Sequence, residues 1–501
     1  MKKLVWLSLC AAACVASGEV KFASIFGDKM VLQRGTAVRV WGTADAGESV
    51  TVTFGGASAT AVANEKGKWR TELPPMPASK ESRTLKAQGK SNAVECRDVL
   101  VGEVWFVCGQ SNTELPLWGG NPHFRDAYGA LTAQMTRKPA VRFAYTSNYR
   151  WSAEPKESFD RKVEWKEFNK ENLMGGSSFS AMGVYYALEL YGALDIPVAV
   201  IGSYWGGTRV EPWTPKCGFE AVPACKAEAT AKIYTPEETK ASEKAPYHKN
   251  AHQQPTVLWN EQVAPWCPYA IKGFIWYQGC SNAGDPNHYA DLMHALYRGW
   301  AKQFENPNLK LYFVQLAPWG FDKIALIQEA QAKFDAEEPN AGMAVINDYG
   351  NLADIHPNQK YIVGKRLALH ALKRDYGFND IVDNSPTLKS WKVEGNQFKL
   401  TFHDAKGWFV YNPDWNPQTG FEIAGADGKF VPAQLENLQV KKQQGYRSNG
   451  VMNGSELIVS AEGVAEPKKL RYLYSRPWYG CLYNEVGLPL GAFHIDADAA
   501  K

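Results

Sequence analysis

The sequence predicts an α/β domain, built on a parallel sheet covered on both faces, between two all-β modules. Three observations predict it. Residues 97–378 alternate short apolar runs with stretches of helical period, the pattern of βαβ units. Residues 19–96 and 379–501 carry short alternating runs separated by turn residues, which is antiparallel texture. Within the central region, the chemically suggestive side chains come just after apolar runs, and parallel sheets gather ligands at the carboxyl ends of their strands.

Taken in chain order, residues 1–18 read as an export signal. Lys2 and Lys3 precede the apolar stretch LVWLSLCAAACVA at 4–16, and small residues follow at Ser17 and Gly18. The stretch is shorter than the ~20 residues that span a bilayer, and no other apolar run approaches that length. The expected product is exported, periplasmic or extracellular, and begins near Gly18 to Val20. AAAC at 11–14 resembles a lipoprotein cleavage box, but Ala11 stands where such a box carries Leu, so a lipid anchor is the lesser alternative.

The first β module shows strands in AVRVWG (37–42), SVTVTFGG (49–56) and KWRTELP (68–74), with turns at DAGE and NEKGK between them. In the central region, DVLVGEVWFVCG (98–109), AVRFAY (140–145), IPVAVIG (196–202), GFIWYQG (273–279), LKLYFVQL (309–316) and GMAVIND (342–348) read as strands. Helices are expected at 179–194, at 288–304 and over KYIVGKRLALHAL. The Lys-, Glu-, Ala- and Pro-rich segment 215–258 reads as an insertion on this domain. FKLTFHD (398–404), GFEIAG (420–425), ELIVSA (456–461) and KLRYLYS (469–475) return to strand texture.

Composition narrows the function. Lys+Arg 55 against Asp+Glu 52 leaves a net charge of +3, so nothing electrostatic points to nucleic acid. The chain is rich in Trp, with 18. Most are expected in the core, but a flat indole also suits a sugar ring. Beyond the signal, the cysteines are Cys96, Cys108, Cys217, Cys225, Cys267, Cys280 and Cys481. They are scattered and odd in number, and only Cys217 and Cys225 are close enough in sequence to suggest a pair. Neither CxxC nor HExxH occurs, so no metal site is expected.

Four motifs carry chemistry. Ser111 follows a strand in VWFVCGQSN, where a serine on a tight turn faces the cleft. Alone, this could be a helix cap. Gly206 and Gly207 follow another strand in SYWGGTRVEPW and could bring backbone N–H groups to a substrate, or simply form a turn. Asn282, in WYQGCSNAGD, could donate to an oxyanion or hold a loop. His356 lies two residues beyond Asp354 in DIHP, the pairing a serine nucleophile requires.

In the order Ser, Gly, Asn, His these motifs resemble the four blocks of the SGNH-hydrolase superfamily. More narrowly, VGEVWFVCGQSN, YWGGTRVEPW, WYQGCSNA and DIHPNQK resemble the sialate O-acetylesterase family, as do the opening FGDKMVLQRG and the closing WYGCLYNEVGLPLGAFHID. The resemblance implies an SGNH-type, flavodoxin-like three-layer domain. It implies a serine carboxylic-ester hydrolase that needs no cofactor. Ser111 would be the nucleophile, His356 the base and Asp354 its orienter, with Asp348 a lesser alternative. The backbone N–H groups of Ser111 and of Gly206 or Gly207, with the Asn282 side chain, would form the oxyanion hole. Arg209 and Gln110 are candidate substrate contacts. Arg209 either reads the carboxylate of a sialic acid or pairs with Glu211. Two positions depart from the family: Cys280 replaces its usual Glu, and Thr113 a frequent Met.

The expected partner is an O-acetylated sugar, either sialic acid on glycans or a xylan-type polysaccharide. A non-catalytic carbohydrate-binding protein on the same scaffold is the alternative of another class. Hydrolysis of a chromogenic acetyl ester separates enzyme from binder. Turnover is expected, and a folded protein without it would favour the binder.

Overall fold

In the computed structural model, residues 19–117, 128–146, 149–174, 179–320, 322–350, 354–411, 420–443, 447–474 and 482–499 are described. The expected export signal and Cys481 lie outside them. The central sheet begins with β1 (Ala93–Gly109), followed by α1 (Ser111–Glu114), β2 (Val141–Tyr145) and β3 (Trp165–Glu167). Next come α2 (Ala181–Leu194), β4 (Val198–Tyr204), β5 (Gly273–Tyr277) and α3 (Pro286–Gln303). The series closes with β6 (Lys310–Val314), α4 (Asp322–Glu337), β7 (Ala341–Ala344) and α5 (Lys360–Tyr376). The strand order is β3-β2-β4-β1-β5-β6-β7. All neighbours are parallel except β3, which runs antiparallel to β2, so the sheet is mixed.

Helices cover both faces, as alternation along β1 requires. Trp105 and Phe106 are consecutive and point to opposite sides. Trp105 meets Tyr186 of α2 edge-on at 5.2 Å and donates its indole N–H to Tyr376 of α5. Phe106 meets Trp300 of α3 at 5.2 Å, and that indole stacks on Phe274 of β5 at 4.3 Å. Each aromatic thus fixes one helical layer to the sheet.

β1 also belongs to the N-terminal module. Its first half pairs antiparallel with Ser79–Gln88, Val31–Gln33 adds in parallel, and only its second half joins β4 and β5. The expected boundary between residues 96 and 97 therefore falls inside one strand. One continuous apolar core extends from Val20 to Leu372, and a second lies between Phe398 and Ile495. That second core is enclosed by three four-stranded antiparallel sheets.

The segment 215–258 is a string of short helical turns, including Lys216–Glu220, Lys226–Ala229 and Pro236–Lys240. Cys217 and Cys225 are both free thiols. No described helix is long and apolar enough to cross a membrane.

The junction on β1 depends on Gly102. A Cβ there would lie 2.0 Å from the carbonyl oxygen of Pro197. Gly102→Ala should cost about 1–3 kcal/mol through forced backbone displacement. A urea unfolding midpoint equal to that of the parent would show that the contact relaxes freely.

Candidate functional site

Three strand ends build the floor of the site. Gly109 of β1 stands in register with Tyr204 of β4 and Tyr277 of β5. Gly109 has φ +144, and a Cβ there would lie 2.4 Å from the Tyr277 carbonyl oxygen. Only glycine lets the chain turn there. Ser111 opens α1 immediately afterwards, so its backbone N–H precedes the first closed helical turn. Thr113, at the position of the family's Met, is buried and donates its hydroxyl to the Tyr277 carbonyl.

Ser111, His356 and Asp354 meet. Ser111 Oγ lies 2.9 Å from His356 Nε2, and His356 Nδ1 lies 3.0 Å from Asp354 Oδ1. The same oxygen accepts the backbone N–H of His356 at 3.0 Å, so the carboxylate fixes both ring and main chain. With Nδ1–H donated to the carboxylate, Nε2 is left to accept the serine proton. This arrangement can take a proton from Ser111 Oγ and hold the resulting imidazolium. Asp348 is committed elsewhere, in a buried two-point ion pair with Arg366 at 2.6 and 2.7 Å.

Around this triad, the structure shows which partners the other candidate residues have. Gln110 is buried, and its Oε1 accepts the backbone N–H of Gly279 at 3.1 Å. That bond ties the end of β1 to the loop after β5. Arg209 does form the ion pair with Glu211, its alternative partner. The Gly206 N–H is not free, because it donates to Glu114 Oε2 at 2.6 Å. Gly206 is nevertheless beside Ser111, since a Cβ there would lie 3.3 Å from Ser111 Cβ. Gly207 has φ +73, and its carbonyl accepts from Gln253. Asn282 is buried, with Oδ1 accepting from Val210 N and Gln278 Nε2 and with Nδ2 donating to Glu211 Oε2 at 2.9 Å. Nδ2 carries two protons and Glu211 takes one.

Other residues of the site escaped sequence reasoning. Lys360 is buried at the start of α5, and its Nζ donates to Asn112 Oδ1 at 2.5 Å. Asn112 Nδ2 donates in turn to the Ile355 carbonyl at 3.0 Å. A lysine and an amide thus join the serine turn to the histidine loop. The ammonium also lies 5.2 Å from the Tyr277 ring centroid. Burial lowers Lys360 to about 7, opposed by Cys280 and Asp354. Burial pushes the Cys280 thiol up to about 12. DIHPNQK held a signal for Lys360, four residues beyond His356. Glu114, one helical turn beyond Ser111, also accepts the Tyr149 hydroxyl. Beside Gly206, Trp205 stacks on His252 at 4.6 Å and meets Tyr149 edge-on at 5.3 Å. The segment 215–258 supplies His252 and Gln253 to this wall, and Gln253 holds both Arg209 N and Gly207 O.

Between pH about 7 and the usual lysine value of ~10.4, the unfolded chain holds a proton at Lys360 that the folded chain lacks. The stability contributed there rises with pH through that window. Lys360→Met should remove this dependence. The stability of wild type relative to the variant should therefore grow from neutral to alkaline pH in urea titrations. A constant difference would contradict the assignment.

A family model described as "Carbohydrate esterase, sialic acid-specific acetylesterase" matches residues 101–373, which contain the triad. The sialate O-acetylesterase of Homo sapiens is 28% identical over 404 residues, covering 73% of each chain. That of Rattus norvegicus is 27% identical over 428 residues, covering 75% of this chain and 76% of its own. The crystal structure of a carbohydrate acetylesterase from Xanthomonas citri superposes with TM-score 0.79 at 30% identity, covering 95% of this chain and all of the other.

Proposed function

The chain belongs to the sialic acid-specific acetylesterase family of carbohydrate esterases, and from that premise we propose that Ser111 removes acetyl groups from sugars through an acetyl-enzyme. The observation that carries this reading is the 2.9 Å contact of Ser111 Oγ with an imidazole held on its other nitrogen by Asp354. It supports an enzyme over a non-catalytic binder on the same scaffold.

In this reading His356 Nε2 takes the Ser111 proton as Oγ attacks the acetyl carbonyl. The oxyanion is met by the N–H groups of Ser111 and Gly207 and by the second proton of Asn282 Nδ2. Gly206 joins them when Glu114 releases its N–H. Such donors act on charge that develops only in the transition state, and each is worth roughly 3 kcal/mol when well aimed. Collapse of the tetrahedral species expels the sugar alkoxide, which takes the proton from His356. Water, deprotonated by the same imidazole, then attacks acetyl-Ser111 and releases acetate. Asp354 holds the ring throughout, and no step calls on a cofactor.

An O-acetylated sialic acid is the substrate that the relatives' names suggest. The Arg209–Glu211 pair favours a second reading, an acetylxylan or other neutral polysaccharide, because it occupies the guanidinium nearest the glycine turn. The wall of Tyr149, Trp205 and His252 suits the apolar face of either sugar. We further propose export after cleavage near residue 18 and a division of the mature chain at about 378, between the two apolar cores, with the residues before 96 joined to the central domain through β1. We also read β4-β1-β5-β6-β7 as the flavodoxin-like order 2-1-3-4-5, with β2 and β3 added at one edge.

Ser111→Ala and His356→Ala should each lower kcat on an acetyl ester by about 10⁴-fold or more while the folded CD spectrum is kept, since the two act as a unit. Asp354→Asn should cost about 10²–10⁴-fold. More than a few per cent activity in folded Ser111→Ala would overturn the nucleophile. Because a neutral imidazole is needed, wild-type activity should also fall on acidification.

Arg209→Ala separates the two substrates. If Arg209 leaves Glu211 to bind a sialate carboxylate, KM should rise for acetylated sialic acid and not for a small neutral acetyl ester. Equal losses on both would assign Arg209 to supporting Glu211 and Asn282.

A further inference from the structure

Outside the triad, one cluster has the donor chemistry of a metal site. Cys225 Sγ, a carboxylate oxygen of Glu228 and a ring nitrogen of His288 all lie within 4.8 Å of one another. Two short spacings bring them together. Cys225 and Glu228 are three residues apart at the start of the Lys226–Ala229 turn, and His288 and Asp291 are three apart on α3. Residues so spaced share one helical face, and here the two faces meet.

The cluster lacks the compensation that a purely structural contact would have. Glu228 Oε1 faces His288 Nε2 at 3.2 Å, but Glu228 Oε2 is buried and has no hydrogen-bond partner. An unpaired buried carboxylate oxygen costs stability unless a cation or donor meets it. The other nitrogen of the same ring, Nδ1, lies 3.7 Å from Asp291 Oδ2. That separation is longer than a hydrogen bond, but a small shift would let Nδ1 donate to Asp291, as the outer nitrogen of a metal-binding histidine donates to a carboxylate behind it. Cys225 is fully buried.

We propose that Cys225, Glu228 and His288 bind one zinc ion, with Asp291 holding the His288 ring and water as the fourth ligand. Thiolate, imidazole and carboxylate together form a borderline-soft donor set suited to four-coordinate zinc. On binding, Cys225 gives its thiol proton to solvent and forms the S–Zn bond. His288 Nε2 turns from Glu228 to the metal, and both Glu228 oxygens then face positive charge. The donors must close in, since zinc holds its ligands at about 2.0–2.3 Å. The ion would clamp the 216–229 segment to α3. This site is separate from the triad and does not depend on the esterase reading.

The test uses the full chain after chelator treatment. Wild type should take up one equivalent of Zn²⁺ by isothermal titration and elemental analysis. Its Tm should rise by at least ~2 °C at a hundredfold excess over Kd. Co²⁺ should give a thiolate-to-metal charge-transfer band in the near ultraviolet. Cys225→Ala should lose that band, while Cys217→Ala keeps it. Glu228→Gln and His288→Gln, at less buried positions, should weaken Zn²⁺ binding by at least about tenfold, and Asp291→Asn by about tenfold. Failure of wild type to bind one equivalent would overturn the proposal, as would an unchanged Co²⁺ band in Cys225→Ala or unchanged affinity in both Glu228→Gln and His288→Gln.

Discussion

Parallel pairing of β1 with both β4 and β5 sets everything else in the site. Because Gly109, Tyr204 and Tyr277 stand in one register, the three loops beyond them leave the sheet at the same level. Ser111 and Gly206 are therefore neighbours even though a long stretch of chain separates them, and the loop after β5 brings Asn282 against Val210, just beyond the glycine turn. A slip of one residue would turn Trp105 and Phe106 onto the wrong faces and break both helical layers. The aromatic packing that stabilises the domain is thus the same constraint that aligns the reactive loops.

Above that floor, the loops are held by polar groups out of contact with bulk water. Gln110 bonds Gly279 N, Asn112 bonds the Ile355 carbonyl, and Lys360 bonds Asn112. Buried networks of this kind fix geometry tightly, because each broken bond leaves a group that water cannot reach. The lysine is the costly member. It contributes position to the histidine loop and bears the desolvation shown by its lowered pKa. Cys280, whose own ionisation burial opposes, offers it no carboxylate.

Glu114 introduces the opposite tension. Its carboxylate takes the Gly206 N–H and the Tyr149 hydroxyl next to Ser111. A resident anion there satisfies donors that would otherwise be open to solvent, and it competes with any anion that forms during a reaction. Arg209 and Glu211 show the same economy. Their ion pair is continued by the Asn282 amide, so the cleft rim and an oxyanion candidate share one carboxylate.

Sequence by itself determined the layered α/β core, the β texture on either side, and the roles open to Ser111, Asp354 and His356. The layers were legible because apolar period is local and reports which face is buried, whereas the three roles rested on the resemblance of four short motifs to a known family, since each motif alone also admits a structural reading. Tertiary structure alone decided the rest. Nothing in GGTR tells whether Gly206 N–H is free, because its partner Glu114 is 92 residues away. Gln110 and Ser111 are adjacent, yet one is buried under Gly279 and the other faces the cleft, since only the β1–β5 pairing sets which way each points. Arg209 could equally have met solvent or Glu211, and only the fold shows the ion pair that it makes with Glu211. Residue type and local period fix which chemistry is available. Which donors and acceptors are already occupied depends on contacts made across the fold, which no local pattern encodes.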